Sequence, residues 1–226
     1  MRYPDGMHKL AFAALIVTST LVVIVAAFWT TRLIAANHVS SPPTALPNSA
    51  IGGFPLSGTL APDFQLTDQF GHPLRLSSLR GQEIVLSFID ARCKTICPLT
   101  AQIMYNARTQ LGASAARQVQ LVAVNANPDA TGLTEVQSWS ISHGMLHQWL
   151  FLTGTAQQLQ AVYHLYNVYD QIDASGQAVH DPILFIIDAS GHERLYFETL
   201  DSQRPADLSD EVAGLVDGMR QWLPKA

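Results

Sequence analysis

The chain has 226 residues, of which 48% are apolar and only 14% charged. That charge share is well below the roughly 25% of ordinary globular chains, and with a mean hydropathy of +0.14 it points to one stretch lying in a membrane. A net charge of −5 excludes a nucleic-acid binder that relies on phosphate attraction, and two cysteines, Cys93 and Cys97, exclude a multi-disulfide scaffold or a four-cysteine metal centre.

Leu10 to Thr31 is an uncharged run of 22 residues bracketed by Lys9 and Arg32. As a helix it spans about 33 Å, which matches the ~30 Å hydrocarbon core. A cleaved signal peptide is the rival reading, with small residues at Ala35-Ala36, but its apolar core is usually only ~7–15 residues long. Residues 1–36 are therefore read as a cytoplasmic end and a transmembrane anchor. Arg2 and Lys9 before the span and Arg32 after it give a mild positive-inside bias. That bias puts the large domain on the periplasmic, extracytoplasmic side of the inner membrane. Three of the 13 basic and one of the 18 acidic residues fall in residues 1–36, so the remainder is acidic and is not drawn to anionic lipid. Residues 37–58, with Pro42, Pro43, Pro47 and Pro55 among serines and glycines, show no period and read as a tether.

The soluble domain is expected over residues 59–226. Asp63–Leu66 and Leu74–Leu76 alternate about a turn at Asp68–Gly71, a hairpin signal. Glu83–Ile89 and Gln120–Asn125 are short apolar runs typical of buried strands. A helix is expected from Pro98 to Leu111, another from Thr134 to His143, a strand at Trp149–Leu152 and a helix around Leu159–Tyr166. Ile183–Ile187 and Leu195–Phe197 flank a turn, and Leu208, Val212, Leu215, Val216, Met219 and Trp222 mark a C-terminal amphipathic helix. Strands alternating with helices, then a hairpin and a last helix, is the order of an α/β, thioredoxin-like domain with an N-terminal hairpin extension.

The segment Phe88–Pro98 carries the chemistry, because a buried strand ends and a helix begins with both cysteines at the junction. Pro98 fits the first helical position, which puts Cys97 near the cap and Cys93 in the preceding loop. The helix dipole favours thiolate there, and Arg92 and Lys94 push the same way. Three residues separate the cysteines, a spacing open to a shared metal, a redox pair or a structural disulfide; a bond closing so small a loop stabilises little. Two soft thiolates suit Cu(I) and leave room for a third ligand. Of the eight histidines, His8 precedes the anchor, His38 lies in the tether, and His72 and His192 lie in turns. His164 sits on a helix, and His143 and His147 have metal-like spacing interrupted by Gly144. His180 differs by position: it precedes the strand Ile183–Ile187, and in a thioredoxin-like sheet that loop faces the first helix's start.

These pieces together resemble the Sco/SenC family of membrane-anchored copper-binding proteins. The matching residues are Ala61–Asp68, Leu79-Arg80-Gly81, Cys93-Lys94-Thr95-Ile96-Cys97-Pro98, Leu152–Thr155, Tyr166-x-Val168-Tyr169, and Val179-His180 before an apolar strand ending in Asp188. The resemblance covers about residues 59–223. It implies a thioredoxin-like fold and copper, Cu(I) or Cu(II), held by Cys93, Cys97 and His180. It also implies a partner, the copper-bearing subunit of cytochrome c oxidase or another copper or thiol protein. The chain departs from the family at Ala91, where a Thr is usual, and at Asn125–Asp129, where only Asp129 matches an acidic stretch. It departs again at Asp181-Pro182, where Ser or Thr usually follows the histidine; a cis Asp–Pro bond there would favour thiol–disulfide exchange. The expected function is delivery of copper to, or maintenance of the cysteines of, the oxidase's binuclear copper site. The alternative is a general extracytoplasmic thiol–disulfide oxidoreductase using Cys93 and Cys97. A peroxidase is disfavoured, because relatives of that kind place Thr three residues before the attacking cysteine, where this chain has Lys94 or Asp90.

Overall fold

The structure, a computed structural model, describes residues 53–168, 171–172, 178–179, 183–199 and 205–224. The anchor expected at Leu10–Thr31, most of the tether, and His180, Asp181 and Pro182 lie outside the described residues. Among the described residues no helix is long and apolar enough to cross a membrane.

The strands are β1 (Phe54–Pro55), β2 (Gln65–Thr67), β3 (Pro73–Arg75), β4 (Glu83–Ile89), β5 (Val119–Asn125), β6 (Leu150–Leu152), β7 (Gln171–Ile172), β8 (Ala178–Val179), β9 (Ile183–Ile187) and β10 (Glu193–Glu198). The helices are α1 (Ile96–Gln110), α2 (Ala113–Ala116), α3 (Leu133–Ser142), α4 (Ala156–Leu165) and α5 (Pro205–Trp222), with a 3-10 turn at Leu76–Leu79. Six strands form one mixed sheet in the order β1-β10-β9-β4-β5-β6. β4, β5 and β6 run parallel, whereas β9 lies antiparallel to β4 and forms a hairpin with β10. This is the α/β arrangement expected from the element order, and the hairpin β2–β3 is the expected extension.

β4 lies at the centre, and all seven of its residues are buried. A parallel strand covered on both faces has no wet side, which is why its sequence is a continuous apolar run. On one face Val85 and Ile89 meet Ile103, Met104 and Ala107 of α1 and Leu215, Val216 and Met219 of α5. On the other, Ile84, Leu86 and Phe88 meet Phe64 and Leu66 of the hairpin and Leu159, Val162 and Tyr163 of α4. α5 lies close on the sheet at Gly218, where a Cβ would stand 2.8 Å from the Phe197 ring. Glycine is tolerated in that helix because it permits the approach.

Several features depart from the sequence reading. Phe54–Pro55, expected to be tether, pairs with Tyr196 and Leu195 at the sheet edge. Gln69, expected to be a turn residue, is 1% exposed. Its amide donates to the carbonyls of Leu146 and Trp149 and accepts from the Phe151 N–H at 2.7 Å, tying the hairpin to β6. Glu83, the first residue of β4, is buried with both carboxylate oxygens unpartnered among the described residues. Burial, with the Asp188 charge nearby, pushes its carboxyl up to about 9.

Candidate functional site

The site is assembled where β4 ends. Asp90, 0% exposed, follows the strand, and its Oδ1 accepts the Arg92 N–H at 2.7 Å and the Asn127 side-chain amide at 3.0 Å. The Asp90 carbonyl accepts the Cys93 N–H at 3.1 Å. An aspartate bonding the backbone two residues ahead makes a tight turn, and here that turn delivers Cys93. The Asn125 side chain accepts the Asn127 N–H, and the Asn125 carbonyl accepts the Tyr163 hydroxyl at 2.7 Å. The ends of β4 and β5 and the flank of α4 are thus joined beneath the cysteines.

α1 begins at Ile96, so Cys97 sits inside the first turn rather than at its cap, and Pro98 is the third helical residue rather than the first. Proline is still tolerated there, because the first helical N–H groups have no partner within the helix. Thr95, the cap residue, contributes no side-chain cap bond. The sulfur of Cys93 takes that place: it accepts the Cys97 N–H at 3.4 Å and lies 3.7 Å from the Thr95 hydroxyl. Both cysteines are free thiols, Cys93 8% and Cys97 1% exposed.

This geometry makes the two sulfurs unequal. The Cys97 thiol donates to Cys93 and, with the N–H groups of Cys97 and Thr95 and the Thr95 hydroxyl, outweighs burial and brings the Cys93 thiol down to about 5. Donating to Cys93 pushes Cys97 well up, and burial and the charges of Cys93 and Asp90 add to it. The arrangement favours thiolate on Cys93 and thiol on Cys97. The N–H groups at the helix start contribute as the sequence suggests, whereas Arg92 and Lys94, expected to push the same way, are not among the causes. The Arg92 guanidinium is held by Glu135 Oε1 at 2.9 Å and by the Asp129 carbonyl.

Sequence reasoning missed Trp139. Its indole N–H donates to the Cys93 carbonyl at 3.4 Å, and its ring stacks on Trp149 with centroids 5.5 Å apart. A helical tryptophan carries no signal of that contact, which spans 46 residues. The histidines are scattered. His143 stacks on Trp139 and His147 on Phe70, while His72 and His192 pair with Asp68 and Asp188. Among the described residues no three His, Cys, Asp or Glu gather into a metal-holding group. The third ligand expected from sequence, His180, follows β8 and lies outside the described residues. The two sulfurs supply soft donors, with thiolate favoured on Cys93, which suits a soft metal ion or thiol exchange.

The model of the SCO1/SenC family matches residues 55–217. A Stutzerimonas stutzeri protein named for copper binding is 30% identical over 99 residues, which is 44% of this chain and 48% of that protein, so the match spans about half the relative's length. The fold is similar to that of Arabidopsis thaliana ScoI with copper bound (TM-score 0.61, 18% identity, 73% of this chain, 100% of that one). It is also similar to a SCO1/SenC family lipoprotein from Bacillus anthracis (0.60, 22%, 74%, 96%) and to copper-bound yeast Sco1 (0.58, 18%, 75%, 98%). At these identities the likeness is one of fold.

Proposed function

The chain belongs to the SCO1/SenC family, and on that premise we propose that it binds one copper ion through Cys93, Cys97 and His180 and serves the assembly of the copper site of cytochrome c oxidase. The observation that carries this reading is the Cys93 sulfur at the start of α1, accepting the Cys97 N–H at 3.4 Å beside a second free thiol. Cu(I) prefers soft thiolates, and an imidazole would complete a three-coordinate site. Position supports His180 as that imidazole. β9 begins at Ile183, whose carbonyl accepts the Ser87 hydroxyl at 3.1 Å, and Ser87 stands three residues before Asp90 on β4. His180 precedes Ile183 by three residues. Leu10–Thr31 would anchor the domain outside the cytoplasm, where a copper-bearing oxidase subunit is accessible.

Anaerobic titration of the full chain with Cu(I) tests this. One ion per chain is expected for the wild type, with affinity greatly weakened in His180→Ala. Equal affinity in the variant would remove His180 from the site, and no uptake by the wild type would defeat the reading.

A second reading is favoured by the inequality of the cysteines. Cys93, the more exposed and the ionised one, would attack a partner disulfide, forming a mixed disulfide and releasing one partner thiolate. Cys97, having lost its proton, would then attack Cys93, releasing the second thiolate. The partner is reduced and the Cys93–Cys97 pair oxidised. Cys97→Ser should trap the mixed disulfide with an oxidised partner; the absence of exchange with any dithiol would count against this role.

A further inference from the structure

Cys93 and Cys97 are almost fully buried, and Cys93, the more exposed of the two, borders the open surface that an incoming ion can reach. There an open groove runs between the cysteine loop and α3, walled by Cys93 and Lys94 on one side and by Glu135, Ser138, Trp139 and His143 on the other. Two of the α3 side carry metal-donor atoms. Glu135 is engaged: Oε1 takes Arg92, and Oε2 takes the Gly132 N–H at 3.2 Å. His143 is engaged through one nitrogen. Nδ1 lies 2.8 Å from the Trp139 carbonyl and 3.0 Å from the Ser142 hydroxyl, which itself donates to that carbonyl at 2.9 Å; in the tautomer in which Nδ1 donates to the carbonyl, Nε2 presents a lone pair. An imidazole that donates through one nitrogen to a backbone carbonyl has the tautomer and fixed orientation that metal-binding histidines use. Its ring stacks on Trp139, with centroids 3.9 Å apart and planes 24° from parallel. Trp139 in turn bonds the Cys93 carbonyl. The exposed imidazole is therefore braced against the residue that carries the thiolate.

We propose that His143 is a transit ligand for copper, holding the ion through Nε2 in the groove as it passes between a donor or acceptor and the Cys93 sulfur. This rests on the copper reading above. In loading, the Cu–Nε2 bond forms as a bond to the donor's ligand breaks, and then the Cu–S bond to Cys93 forms as Cu–Nε2 breaks. Release is the reverse. The oxidation state of copper does not change, and Nδ1 keeps its proton throughout.

The test is stopped-flow transfer of Cu(I) between the full chain and the chelator bathocuproine disulfonate, without oxygen, in both directions. His143→Phe keeps a ring to stack on Trp139 but has no donor nitrogen, whereas His143→Met supplies a soft thioether. We expect His143→Phe to slow loading and release together by about tenfold, and His143→Met to restore most of both rates. Wild-type rates in His143→Phe would overturn the inference. So would a Met variant as slow as the Phe variant, because the effect would then lie in how the residue braces Trp139. Copper uptake by the wild type is read in the same experiment, and its absence would overturn the copper reading itself.

Discussion

Strand β4 has an ionisable group at each end, and the two ends treat burial differently. At its first residue, Glu83 is enclosed without hydrogen-bond donors among the described residues, and its carboxyl is pushed up to about 9. Just past its last residue, Asp90 and Cys93 are also buried, but each meets donors: two N–H groups on Asp90, and a thiol and backbone N–H groups on Cys93. There the thiol is brought down to about 5. Burial alone disfavours charge, and donors aimed at the group restore it. At one end of the strand charge is disfavoured, and at the other the donors favour it.

The largest effect should come from Glu83→Gln. The glutamate's folded value is raised above its unfolded value near 4.5. Its contribution is therefore whole at low pH and is lost as pH rises towards 9. Gln removes that slope, so urea unfolding should find the variant more stable by on the order of 3 kcal/mol at pH 8, the gap closing below pH 5. A wild-type stability curve flat between pH 5 and pH 8 would break the comparison at this end.

Asn127→Asp attacks the other end. A second carboxylate would replace an amide donor 3.0 Å from Asp90. Stability at pH 7 should fall by about 2 kcal/mol and recover on acidification, as one carboxyl takes up a proton. Equal losses at pH 5 and pH 7 would show that packing, not charge, had been disturbed.

Cys97→Ala removes the donor that does most to lower Cys93. The pH midpoint for alkylation of Cys93 by iodoacetamide should rise by a pH unit or more, about 1.4 kcal/mol. Arg92→Ala should do least, moving that midpoint by under about 0.3, because an exposed guanidinium already held by Glu135 is worth little to a neighbour. If Arg92→Ala moved it as far as Cys97→Ala, the long-range charge rather than the local donors would set the sulfur.

What the sequence revealed follows the same division. β4 and β5 were legible because buried parallel strands are continuous in apolar residues, and α5 because its spacing holds over three turns. Cys93 and Cys97 were legible from their spacing and from Pro98, although the helix starts two residues earlier than the proline suggested. The support beneath them was not. Asp90 meets Asn127 across 37 residues, and Trp139 meets Cys93 across 46; polar contacts between distant loops leave no period. The inequality of the sulfurs left no trace either: the helix start and the neighbouring cations point to thiolate at both cysteines alike, because adjacency in sequence is visible and the bond between two thiols is not. β1 is two residues long in a Pro- and Gly-rich stretch, too short for any alternation to register.

That short strand has a practical consequence. From Phe54 to Ala61 the chain runs along the outer side of β10 and the turn before it, with the Leu56 N–H on the Arg194 carbonyl, the Glu193 N–H on the Thr59 carbonyl and the Ala61 N–H on the Gly191 carbonyl. A recombinant fragment begun at residue 59 would strip away half of this selvage. The bare ladder left on β10 invites a second molecule to lie against it, so fragments for solution work should start ahead of Gly53.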